Sequence, residues 1–241
     1  MVIGDAGAVQ AALKINWAEM PTYNTIMAVA AGAGLLLVAG LWRKLSTPGG
    51  ELHAEGWALA FGVLGTILTL TGLHMTLTWP LAAGGFPFDN IIFGEPSLAF
   101  GVLLLFAGGY LWRRGRLVEE HPERERHLAG LAGPVSVFVF GMGLACWGIA
   151  AAGVWYQLFA APKEEPISGL FADHPMVEAV FVSLLYFLVG LGAVLFPFAL
   201  GGRRAALGKV IVWAWAISGA LFLLFGALNY FTHIGLIVNT M

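Results

Sequence analysis

Apolar residues along this chain gather into six long runs, about 22 to 42, 56 to 81, 96 to 112, 129 to 159, 175 to 200 and 208 to 236, with charged residues mostly confined to the breaks. A helix needs roughly 20 apolar residues to cross a bilayer, and each run is close to that length or beyond it. The pattern predicts an all-α, polytopic membrane protein, with residues 1–241 forming one six-helix domain. The odd-numbered runs open on Glu19-Met20-Pro21, Glu95-Pro96 and Asp173-His174-Pro175. The even-numbered runs close on a small residue followed by polar and aromatic ones. This repetition predicts three up-and-down hairpins with their polar ends on one side. Pro and an acid at a helix start are also what the missing N–H and the helix dipole favour without any repeat.

Composition closes off the soluble alternatives. With 59% hydrophobic and 11% charged residues and a mean hydropathy of +0.83, the chain carries more apolar surface than a soluble domain can cover. The single cysteine, Cys146, lies inside an apolar run, so no internal disulfide or CxxC motif exists. Gly32, Gly34, Gly62, Gly65, Gly141 and Gly143 are small residues that let helices approach. Trp42, Trp57, Trp79 and Trp112 fall near run ends as interfacial anchors, and Pro197 should kink the fifth helix.

Charge adds an orientation. Ten of the twelve basic residues, among them Arg43, Lys44, Arg113, Arg124, Arg204 and Lys209, lie in the breaks after the first, third and fifth runs. The positive-inside rule then predicts that the segments near 43–53, 113–127 and 201–208 are cytoplasmic and that both termini are extracytoplasmic, in the cell membrane. The segment 113–127 mixes both signs and reads as a solvated loop, with no nucleic-acid partner implied. Residues 1–20 lack a continuous apolar core, which argues against a cleavable signal peptide. Val9, Leu13, Ile15 and Trp17 suit a short helix in the outer interface.

That orientation collects the candidate chemistry. Residues 72–97 place His74, Asp89 and Glu95 in an otherwise apolar stretch, and an ionisable side chain inside a membrane run is by default a functional candidate. His174, Glu178 and His233 share the same side, together with Glu19 and Asp173. His74, Glu95, His174, Glu178 and His233 are the expected metal ligands, since imidazole and carboxylate suit iron, zinc or copper. Nearby Met20, Met75 and Met176 would favour copper. His74 and His233, at similar depth on the second and sixth helices, are also candidate axial ligands of haem b. Against these readings, Glu95 could be a plain helix-start acid, His174 an exposed neighbour of a cap, and His233 an interfacial aromatic.

The blocks LHMTLTWPL and FGEPSLAFG, with six helices and the loop between them, resemble a family of uncharacterised bacterial and archaeal integral membrane proteins grouped as a domain of unknown function. The resemblance implies a six-helix membrane domain and no activity, ligand or partner. No Walker loop, Rossmann glycine pattern, HExxH or GxSxG motif is present.

The residues therefore lead first to a metal- or haem-binding membrane protein with its site in the outer leaflet. It would be an oxidoreductase, or a subunit of one alongside other membrane subunits, meeting quinone or another apolar substrate in the bilayer. A proton- or ion-coupled transporter or channel, with His74 and Glu95 as the relay, is the second reading. A structural or assembly subunit of a membrane complex is the third.

Overall fold

The computed structural model describes residues 15–17, 23–47, 51–78, 87–202 and 204–241. Most of the expected interfacial helix, the Glu19-Met20-Pro21 motif and Trp79 lie outside the described residues. Six helices follow in order: α1 (Asn24–Leu45), α2 (Ala54–Leu77), α3 (Glu95–Glu120), α4 (Arg124–Tyr156), α5 (Pro175–Ala199) and α6 (Ala205–Thr240). All six are long and apolar enough to cross a membrane. In lipid the backbone must satisfy its own N–H and C=O groups, which leaves helices as the natural form for such runs.

Three boundaries differ from expectation. The charged segment 113–127 is mostly helical: α3 continues to Glu120 and α4 begins at Arg124. Its apolar positions explain this, because Val118 is fully buried and the Glu119 carboxylate accepts the Ala54 N–H at 2.6 Å, so the α2–α3 seam runs on past the apolar stretch. The link is then pinned by Arg124, which donates to the carbonyl of Lys44, and by a 2.9 Å bond between Tyr110 and His127. At the other end of the bundle α6 runs on to Thr240, 36 residues in all. That is about 54 Å at 1.5 Å per residue, against a hydrocarbon core of about 30 Å. The surplus turns pack on the α4–α5 link, with Asn239 donating to the carbonyl of Glu164 at 2.7 Å. Trp17 donates to Thr240 across the two terminal regions.

Close packing singles out α2 with α3, α1 with α6 and α4 with α5. These are not the sequential pairs of the three hairpins expected from the repeated helix-start pattern, which would be α1 with α2, α3 with α4 and α5 with α6. The reason lies in the small residues. A Cβ added at Gly72 would fall on the backbone of Leu98, one at Gly32 on the backbone of Leu223, and one at Gly143 on that of Val194. Close backbone approach of this kind supplies the van der Waals contact that holds helices together in lipid. Gly65 is used in the same way against the backbone of Leu105 and Gly101, Gly34 makes room for the Phe100 and Leu104 side chains, and Gly62 and Gly141 face open space. Trp42 and Trp57 pack inward against Phe196 and Phe61, while Trp112 is exposed. Pro197 falls in the last turns of α5, just before the short 3-10 turn Leu200–Gly202.

Candidate functional site

Between the three pairs lies a cavity of about 890 Å³. Its walls are aromatic and aliphatic side chains, including Phe93, Phe100, Tyr186, Trp215 and Phe222, and its polar residues collect at the two ends. Ser46 and Glu125 line one end, among the basic links. Asn24, Asp89, Glu165, Glu178, Asn229 and His233 line the other, here called the histidine end.

Asp89 reaches the cavity through an unusual turn. Residues Asn90–Gly94 form a π-helical turn ahead of α3, and such widened turns recur at functional sites. Two buried bonds fix it: Asn90 donates to the carbonyl of Met75 at 2.8 Å, and the Tyr186 hydroxyl donates to the carbonyl of Ile92. Gly94 fits because it lies against Met75 and Thr76, where a side chain would crowd α2. Among the described residues Asp89 has no hydrogen-bond partner. Burial pushes its carboxyl up to about 7, with His233 pulling the other way.

His233 is held from two sides. Its Nδ1 lies 3.2 Å from a Glu165 carboxylate oxygen, and its Nε2 lies 3.4 Å from the Asn24 amide nitrogen. A neutral imidazole protonated on Nδ1 satisfies both, donating to Glu165 and accepting from Asn24. Glu165 is only 8% exposed, although it comes from the α4–α5 link. The link achieves this with a tight turn at Ile167, whose φ is 66° and ψ −63°, closed by the Ser168 N–H on the carbonyl of Pro166 at 2.8 Å. A β-branched residue at positive φ is strained, and the strain is borne where the link carries Glu165 and Ser168 to the cavity. Glu178 is also engaged, accepting the Ala161 N–H at 2.7 Å. Asn229, one turn before His233 on α6, is 8% exposed and its side-chain oxygen has no partner.

The five expected ligands are not brought together. Glu178 and His233 line the cavity. His74 does not: it is exposed and its Nδ1 lies 2.7 Å from the Tyr23 hydroxyl. Glu95 is exposed at the start of α3, at one end of an outer groove that Leu98 also lines and outside the cavity, as a helix-start acid with Pro96 after it. Among the described residues no hydrogen bond or ion pair joins His74 to Glu95. His174 is exposed at the start of α5, next to Asp173, which pairs with Lys163 at 2.9 Å. Met75 is buried under Gly94 and Met176 is exposed. Among the described residues no three His, Cys, Asp or Glu side chains stand as a metal-ligand group. Sequence reasoning missed Glu165 and Asn229. The first sits in a loop of ordinary polar composition, and the second is visible only as an amide four residues before His233 on the same helix face.

Taken together, the six helices, each long and apolar enough to cross a membrane, define an all-α protein of the multi-pass membrane class. The chain belongs to the family described as "Protein of unknown function (DUF981)", which matches residues 20–235. Comparison with curated proteins and with solved structures brings no match.

Proposed function

We propose that this protein is a small membrane carrier for an amphiphile, a molecule with an apolar body and one polar head, which occupies the central cavity. The observation that carries the proposal is the cavity itself. Sites for small molecules are typically 300–1,000 Å³, mostly apolar, with a few convergent polar groups, and this one measures about 890 Å³ with its polar groups kept to the ends. Its reach from His233 to Ser46 and Glu125 supports passage along the molecule over simple storage. Access from the bilayer is supported by a second observation. Ala99, Leu103, Phe106, Val135 and Met142 line both the cavity and a shallow apolar groove on the outside of α3 and α4, so the wall there is one layer of side chains.

The orientation proposed for the carrier follows the charge asymmetry: basic links in the cytoplasm, the histidine end and both termini outside. A metal or haem centre, the first expectation from the sequence, would need several of His74, Glu95, His174, Glu178 and His233 at one point. Their separation favours the carrier. Reconstituted vesicles test it. A spin-labelled single-chain amphiphile should cross between leaflets faster with the protein present, and Val139→Trp, which fills the cavity wall, should abolish the acceleration. Equal rates with and without protein, for amphiphiles of cationic, neutral and anionic head, would refute the carrier.

A further inference from the structure

Four polar side chains at the histidine end already have partners. Glu165 is engaged by His233, His233 by Glu165 and Asn24, and Glu178 by the Ala161 N–H. Two do not. The Asn229 side-chain oxygen is buried in the cavity wall without a donor, and the Asp89 carboxyl has no hydrogen-bond partner among the described residues. The two oxygens are acceptors that lack a donor, and Asn229 also carries an Nδ2 donor beside its oxygen. A buried acceptor without a donor pays its desolvation unreturned, and a ligand that supplies the hydrogens recovers that cost on binding.

The charge at this end selects among donors. Three carboxyl groups, Asp89, Glu165 and Glu178, face the cavity against one imidazole, His233. Lys163 is turned away on Asp173. A carboxylate or phosphate head would add like charge in a weakly screened space, whereas a cation beside Asp89 favours its ionised form. Phe225, one turn before Asn229 on the same face of α6, adds an aromatic wall of the kind that attracts cations. We infer that the histidine end of the cavity is a head-group site for a protonated primary amine, held by the Asp89 carboxylate and the Asn229 side-chain oxygen. An ammonium offers three donors and no acceptor, which is the complement of the Asp89 carboxylate and the Asn229 oxygen. The inference rests on reading the cavity as the seat of an amphiphile.

Thermal unfolding of the full-length protein in one detergent tests it, with dodecylamine, dodecanol and dodecanoate as probes. A ligand that binds only the folded state raises the midpoint in proportion to its affinity. Dodecylamine should stabilise at concentrations about tenfold lower than the other two. Asp89→Asn and Asn229→Leu should each remove most of that advantage. Glu95→Gln, which deletes an exposed carboxylate at the same end, should leave it intact. Equal stabilisation by dodecanoate or dodecanol overturns the amine site. So does an advantage that survives both cavity variants, or one that Glu95→Gln removes equally. If Asp89→Asn does not fold, Asn229→Leu alone decides. If no probe shifts wild type more than Val139→Trp, the cavity reading falls with it, which separates failure of the carrier from failure of the head-group site.

Discussion

Glu165 shows how a single side chain can couple a link to a membrane helix. Its carboxylate is buried only because His233 receives it at 3.2 Å, so each group is the other's means of leaving water. Glu165→Ala should strip the Nδ1 donor of its acceptor and destabilise the protein by about 1–3 kcal/mol. Glu165→Gln, which keeps an acceptor, should cost less, and unfolding in mixed micelles measures both. Asp89 makes a prediction about pH. Its folded pKa, about 7, lies above the ordinary carboxylate range, so between roughly pH 4 and 7 the folded state holds a proton that the unfolded chain releases. Stability from this group is therefore lost as pH rises through that window. Asp89→Asn should flatten the dependence, seen as a smaller difference in melting midpoint between pH 5 and pH 8.

His74 marks the limit of residue-level legibility. An imidazole in an apolar run announces a partner, and it has one, but that partner is the Tyr23 hydroxyl, which no motif or spacing singles out. Within the stretch 72–97 it is Asp89 that lines the cavity, while Glu95 lies at the helix start.

At the scale of elements, the six helices were legible because length and apolarity alone decide them in a membrane. Their ends were less so. The extensions of α3 and α6 depend on Val118 packing into the α2–α3 seam and on Asn239 meeting the α4–α5 link, contacts that hydropathy does not encode. The end of α2 and the start of α3 meet in a joint, with Gly72 and Gly94 as its close-approach points. Gly72→Leu should therefore overpack that joint and destabilise by about 1–3 kcal/mol. Gly148→Ala, at a position open to space, should be neutral or mildly stabilising, since Ala is the better helix former. Thermal unfolding of the two variants in the same detergent makes the comparison.

For the whole molecule, the pairing of α1 with α6 is the feature no local pattern could supply, because it closes the ring from the two extremes of the chain. The cavity follows from that closure, and with it the function proposed. The orientation carries its own expectation: cysteines introduced at Glu120 and Gly49 in a Cys146→Ser background should resist an impermeant thiol reagent in intact cells and react once the membrane is opened. The most direct measurement of the central claim is native mass spectrometry of the protein released from nanodiscs formed in its own membrane. Wild type should carry one tightly held amphiphile per chain, and Val139→Trp should carry none. A bare wild-type chain, or the same adducts on both proteins, would contradict it.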